Sequence, residues 1–231
     1  MSTRYAIYLA PPPDSALWRF GSLVLGRDAA TGEAIYGFAP AGFAPEAWRA
    51  LTAEPRRYGF HATLKAPFRL KDGFDREQLE NAIAQIAALT PAFDLGPLEV
   101  VALTFGGSAF LALTPTRTPP ALRELEARAV RELDVFRAPP TEVELRRRNP
   151  ARLTPRQRNY LDAWGYPYVL DEFRPHFTLS GALAESVGGV AQLAEAFAAS
   201  VPYNEFRVDA LALFIQEESA DFSVVKRFHL N

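Results

Sequence analysis

Two copies of one tetrapeptide constrain this chain more than any other feature: His61-Ala62-Thr63-Leu64 and His176-Phe177-Thr178-Leu179. The chain has only three histidines, and two of them begin an H-x-T-L. Chance would place two of three histidines in that setting with a probability of roughly 10⁻⁴, which removes most of the false-positive risk of a short motif. Tyr58-Gly59-Phe60 before the first copy and Ala66-Pro67-Phe68 after it are apolar, and the run reads as a strand. Strand side chains alternate faces, so the pattern predicts His61, Thr63 and Lys65 on one face and Ala62, Leu64 and Ala66 on the other. The same parity groups His176, Thr178 and Ser180. Each motif is thus expected to present an imidazole and a hydroxyl together, backed by an apolar face.

The segments after the two motifs also repeat. After the first come a polar turn at Lys71-Asp72-Gly73 and a helical stretch from Asp75 to Leu89, with Leu79, Ile83, Ile86 and Ala87 at helical spacing. A strand over 98–105, a Gly106-Gly107 turn and a return strand over 109–113 come next. After the second motif, Gly188-Gly189 leads into a helix carrying Val190, Leu193, Ala194 and Phe197. A strand over 206–215, a polar turn at Glu217-Glu218-Ser219 and a closing strand over 222–229 complete it. The repetition predicts an α+β fold, a bilobed body of duplicated strand-helix-strand-hairpin units. Two antiparallel-type sheets are expected to face a central cleft holding both His-Thr pairs. The expected division is a single domain, 1–231, of two lobes: a first repeat at about 58–114, an insert at about 115–172 and a second repeat at about 173–230.

Paired H-Φ-[S/T]-Φ motifs on duplicated α+β lobes resemble the two-histidine (2H) phosphoesterase superfamily, which cleaves cyclic phosphodiesters and related phosphate esters without a metal. Arg57-Tyr58-Gly59-Phe60-His61-Ala62-Thr63-Leu64-Lys65 and Asp171-Glu172-Phe173-Arg174-Pro175-His176 resemble, more narrowly, a bacterial branch often encoded beside genes for phosphonate use. The resemblance implies that His61 and His176 act as general acid and base and that Thr63 and Thr178 bind phosphate. Ala62 stands where many members carry a bulkier apolar residue, and the gap between the motifs is long for the superfamily.

These residue types suit the chemistry in their own right. Imidazole titrates near neutrality, so one histidine can accept a proton while another, held near an anion, donates one. Such a pair fits in-line attack on phosphorus, in which water loses a proton and the leaving alkoxide gains one. Lys65 is a candidate extra phosphate cation, Ser180 stands at the equivalent place without a charge, and Tyr58, Arg148 and Ser180 are candidate substrate contacts. His229 lacks the motif and reads as structural. Zinc needs three or four ligands, and the chain offers no cysteine and no H-E-x-x-H. No metal or other cofactor is expected.

The insert has no twin. Pro119-Pro120 opens a helical stretch to about Leu133. Arg146, Arg147, Arg148, Arg152, Arg156 and Arg158 then crowd together without an intervening acid. Guanidinium forks suit a terminal phosphate or a nucleic-acid backbone, while a solvated helix face paired with Glu142 and Glu144 is the plainer reading. Tyr160, Trp164, Tyr166 and Tyr168 come after them, either as packing for the insert or as a stacking surface.

The net charge of −2 disfavours broad nonspecific nucleic-acid binding. Tyr5 to Ala10 is too short for a signal segment and is stopped by Pro11-Pro12-Pro13, so it reads as a first strand. The apolar region 95–115 contains Glu99 and a Gly-Gly turn and reads as two strands rather than a membrane span. These features predict a cytoplasmic phosphoesterase acting on a small phosphorylated substrate, with no membrane partner and an oligomeric state left open. Through the branch it resembles, the substrate is expected to be a sugar phosphate such as a ribosyl cyclic phosphate. An RNA-end 2′,3′-cyclic phosphodiesterase and a non-enzymatic nucleotide-binding module are the alternatives.

Overall fold

A computed structural model of the chain describes residues 3–105, 108–183, 188–203 and 206–231, so the expected Gly106-Gly107 turn lies outside the described residues. In chain order the first elements are β1 (Arg4–Leu9), α1 (Ala16–Leu25), α2 (Pro45–Leu51), α3 (Ala53–Arg56), β2 (Ala62–Phe68) and α4 (Arg76–Ala88). Then come β3 (Phe93–Asp94), β4 (Leu98–Phe105), β5 (Ser108–Pro115), α5 (Pro120–Glu132), α6 (Glu142–Arg147) and α7 (Pro155–Trp164). The last are β6 (Phe177–Thr178), α8 (Val190–Ser200), β7 (Arg207–Val208), β8 (Ala210–Gln216) and β9 (Ser223–His229).

Local chemistry sets many of these boundaries. α4 starts at a capping box in which Asp75 accepts from the Gln78 N–H and the Gln78 side chain accepts from the Asp75 N–H. Its Leu79, Ile83, Ile86 and Ala87 form the buried stripe. Thr141 with Glu144 and Thr154 with Gln157 cap α6 and α7 in the same way. β6 is short for identifiable reasons: Pro175 has no N–H to give a ladder, and the chain leaves the sheet at Gly181, whose N–H bonds the Leu51 carbonyl. The strand expected over 206–215 breaks at Asp209, which turns its carboxylate to Arg227 at 3.3 Å.

The α+β class stands, but the expected pair of facing sheets does not. The main sheet is one, seven-stranded, in the order β4-β5-β6-β2-β1-β8-β9, with all pairings antiparallel. The repeats exchange strands. β6, from the second repeat, adds to the first repeat's hairpin through Leu113↔Phe177 and Ala112↔Thr178, while β1 joins β2 to the second repeat's hairpin. The two motif strands are therefore neighbours at the centre, joined through Ala62↔Phe177. A two-stranded ribbon of β3 and β7 links the repeats again.

Helices α4 and α5 pack against the β2 and β8-β9 side and α8 against β4, with α1 beside α8. Under them Ile7, Leu9, Ala62, Leu64, Leu111, Phe177, Leu179 and Leu213 form a core shared by both repeats. On the opposite face Tyr8, Trp18, Phe214 and Phe222 make a second, smaller cluster. Among the described residues no helix is long and apolar enough to cross a membrane.

Candidate active site

His61, the residue before β2, and Thr63 within it face away from the helices, as the alternation predicts. Gly59 shapes the approach. Its φ of +76° is left-handed, and a Cβ there would stand 2.4 Å from the Ala29 Cβ, so only glycine fits. The turn aims the Gly59 carbonyl at the ring, and His61 Nδ1–H donates to it at 2.9 Å. Across the β2/β6 junction His176 Nδ1–H donates to the Arg174 carbonyl at 2.7 Å. A carbonyl only accepts, so each Nδ1 carries a proton and, in the neutral ring, each Nε2 is the acceptor nitrogen. The two motifs thus repeat in hydrogen bonding as well as in sequence.

His61 is further fixed by stacking on Tyr8, with ring centroids 3.6 Å apart and an interplanar angle of 15°. Phe214 packs obliquely against the same ring, and Phe110 against His176. Burial disfavours the imidazolium and pushes His61 down to about 3; the neighbouring His176 adds to the shift and the Gly59 carbonyl opposes it. His176 is also lowered, by burial first and against the Arg174 carbonyl. The free site therefore holds neutral rings at pH 7. Thr63 Oγ1 lies 3.2 Å from His61 Nε2 and donates to it while the ring is neutral.

His61, Thr63, His176, Thr178, Tyr58, Arg148 and Ser180 all line one cavity of about 320 Å³. Ser180 has less to offer a ligand than its position suggests, because its hydroxyl donates to the Gly181 carbonyl and accepts from the Leu111 N–H, both at 2.9 Å. Tyr58 is stacked on Phe222, with centroids 5.3 Å apart, and Arg148 lies over the Tyr166 ring at 4.6 Å.

Lys65 is the residue the fold does not bring to the site. β1 and β2 slip by one residue, with Tyr8 opposite Thr63 but Ile7 opposite Lys65, so Leu64 is extra and the alternation breaks. Leu64 and Lys65 are both buried on the helix side, where Lys65 Nζ donates to the Val130 carbonyl and Asp134 Oδ1, each at 3.0 Å. Its expected role as a phosphate cation is replaced by one as a tie between β2 and α5.

Two further lining residues, Tyr8 and Arg4, were not singled out by the sequence. Their signal was available, because Tyr8 sits at an alternate position of a first strand that only had to be placed beside β2. Arg4 is held by the Gln216 side-chain oxygen and lies over Phe222 at 5.3 Å.

Two imidazoles at the heads of adjacent strands, each with Nδ1 turned to a backbone carbonyl and a threonine two residues on, line one cavity, the arrangement expected from the resemblance to two-histidine phosphoesterases. The chain itself belongs to the family described as Protein of unknown function (DUF1045), whose model matches residues 63–223. It is 39% identical over 220 residues to a ribose 1,5-bisphosphate phosphokinase PhnN of Janthinobacterium sp. (strain Marseille), covering 93% of this chain and 48% of that protein. It is 36% identical to the protein of the same name from Laribacter hongkongensis (strain HLHK9), over 94% of this chain and 49% of that one. The chain thus spans about half the length of the curated relatives it matches. Among solved structures it is similar to apo E. coli LigT, at 15% identity and a TM-score of 0.48, covering 100% and 99% of the two chains. TT0787 of Thermus thermophilus gives 16% and 0.48, covering 98% and 97%.

Proposed function

We propose that this protein is a phosphoesterase that opens a small cyclic phosphate or phosphodiester by proton transfer between His61 and His176. The observation that carries the reading is the matched pair of Nδ1 hydrogen bonds, which turns two Nε2 atoms into one cavity beside two threonines. In the reaction a water oxygen bonds to phosphorus as the ester P–O bond breaks. One Nε2 takes the water's proton and the other, protonated, gives its proton to the leaving alkoxide. The products are a phosphomonoester and an alcohol, and the rings return to their starting forms by exchange with solvent. The Thr63 and Thr178 hydroxyls donate to the non-bridging oxygens, where charge accumulates. The bound anion also raises the pKa of the ring that must be cationic, offsetting the burial that keeps both neutral when the site is empty.

The relatives point to the substrate class. Their name assigns them phosphorylation of ribose 1,5-bisphosphate, and this chain, matching about half of each, contains no G-x-x-x-x-G-K-[S/T] phosphate loop. The two activities fit together if this half generates the bisphosphate by opening a ribosyl cyclic phosphate that already bears a second phosphate. Proton transfer is assigned to imidazole, and among the described residues no three His, Cys, Asp or Glu side chains gather to hold a metal.

A panel of cyclic phosphates, including ribosyl cyclic phosphates and nucleoside 2′,3′-cyclic phosphates, assayed with EDTA present, tests the reading. Turnover of a sugar cyclic phosphate that survives EDTA and falls at least about 10²-fold in His61→Ala and in His176→Ala is the expected result. Near-normal turnover in both variants overturns it.

A further inference from the structure

We propose that the groove contains a second anion subsite, beside the imidazole cavity, that takes a terminal phosphomonoester of the substrate. This deepens the phosphoesterase reading and rests on it for the identity of the reacting phosphate. A cavity of about 460 Å³ abuts the imidazole cavity and shares with it Arg4, Glu54, Tyr58, Pro67 and Arg148, so one ligand can span both.

The second cavity's walls carry five arginines, and their pairing decides what it binds. Arg137 is neutralised by Asp134, at 2.8 and 3.1 Å, and Arg69 by Glu144, at 3.5 Å. Arg4 is held by the neutral amide of Gln216. Arg147 and Arg148 face no carboxylate among the described residues; Arg148 is oriented instead by the Tyr166 ring. Three guanidinium charges thus stand against the single unpaired carboxylate of Glu54, an excess that matches the two charges of a phosphomonoester. Guanidinium forks present paired N–H donors suited to its oxygens. The imidazole cavity, with neutral rings and hydroxyl donors, suits the singly charged diester that reacts. The pairing of a diester site with a dianion site selects a substrate carrying two phosphates at opposite ends of a small scaffold, rather than a simple cyclic nucleotide.

Isothermal titration of inorganic phosphate, ribose 5-phosphate and a pentose bisphosphate into the whole chain tests the proposal. The bisphosphate is expected to bind about tenfold or more tighter than the monophosphate. That advantage is expected to collapse in Arg147→Ala/Arg148→Ala and in Arg147→Glu, a change at an exposed position with no packing to disturb. Equal affinity of mono- and bisphosphate in the parent, or an advantage that survives both variants, overturns the subsite. Failure of the two readings is distinguishable. If no cyclic phosphate is hydrolysed while the arginine-dependent advantage persists, the subsite stands and the phosphoesterase reading falls; if hydrolysis proceeds without that advantage, the subsite alone falls.

Discussion

Lys65→Met separates a structural lysine from a ligand-binding one. Methionine keeps the stem and apolar bulk of the side chain and removes the ammonium. In the fold that ammonium sits 4% exposed, 3.0 Å from both Asp134 Oδ1 and the Val130 carbonyl. The Val130 carbonyl belongs to the last turn of α5, where no later helical N–H reaches it and a cation is favoured. Breaking a buried ion pair costs about 3–5 kcal/mol when the partner is left alone. Asp134 is not left alone, because Arg137 holds both of its oxygens. The lost ammonium was itself poorly solvated; burial is the first cause of its lowered pKa, against the pull of Asp134. The net loss is therefore about 2 kcal/mol, a fall in melting temperature of about 4–8 °C for a chain of this size. Phosphate affinity, read by isothermal titration, is expected to stay within about twofold. An unchanged melting temperature with a tenfold loss of phosphate binding would refute the slipped register and return Lys65 to the site.

The threonines supply a second check: Thr63→Val and Thr178→Val keep the β-branched shape and are each expected to weaken phosphate binding by about 0.5–3 kcal/mol, whereas unchanged calorimetric affinity in both makes them only strand residues. Because both histidines are held below the ordinary imidazole range, unfolded rings take up protons that folded ones refuse, so stability is expected to fall as pH drops below about 6.5. Ring ¹⁵N shifts are expected to show His61 neutral at pH 6 and His176 titrating below 6.5 in the free protein, with one ring cationic after phosphate is added; titration of both near 6.5 without ligand contradicts the burial argument. Gly59→Ala is expected to lower stability by about 1–3 kcal/mol in a urea melt, since it forces a Cβ into Ala29 at a positive φ, and an unperturbed melt would mean the turn relaxes freely. Binding of a short single-stranded RNA is expected to show a shallow salt dependence, because each tracked phosphate adds about −0.7 to the log–log slope; a slope implying four or more contacts favours an RNA substrate.

Elements whose signal is local were readable from the sequence, and those set by pairing were not. α4 was visible because a capping residue and a buried stripe lie within one segment, and β4 and β5 because two apolar runs flank a glycine pair. The choice of partner strand is not local. Nothing within 173–180 says that this segment lies against β5 and β2, so a duplication that suggested two facing sheets gave one sheet of exchanged strands. Segment 14–57 carried no recognised repeat, although Ser15 caps α1 by accepting from the Trp18 N–H and Gly26 ends it in a left-handed turn. The placement of the two His-Thr pairs survived the error in topology because His61/Thr63 and His176/Thr178 are two residues apart, and period-two alternation holds over that distance. Lys65 did not survive it, because the extra residue Leu64 turns Lys65 to the other face before a second slip, between Lys65 and Phe68, follows.

The strand exchange also explains how two short motifs make one site without a linker or a closing movement. Had each motif stayed within its own sheet, the imidazoles would be held by separate cores, and their spacing would depend on how two lobes happened to pack. In the exchanged sheet the spacing is set by a backbone neighbour relation, Ala62 beside Phe177, and both of those side chains are buried in the one core under the helices. The same arrangement accounts for the matched ring orientations. Each histidine comes after a backbone segment that is itself constrained: Gly59 against Ala29 in the first motif and Pro175 with its fixed φ in the second. Each then donates Nδ1–H to the carbonyl two residues back. The backbone, rather than a buried carboxylate, fixes the tautomer. An acidic partner would stabilise the imidazolium permanently, whereas a neutral carbonyl leaves the charge to be decided by the phosphate that arrives. In the proposed reaction, such a site would take up its anion with uncharged rings and gain its acid when the substrate is bound.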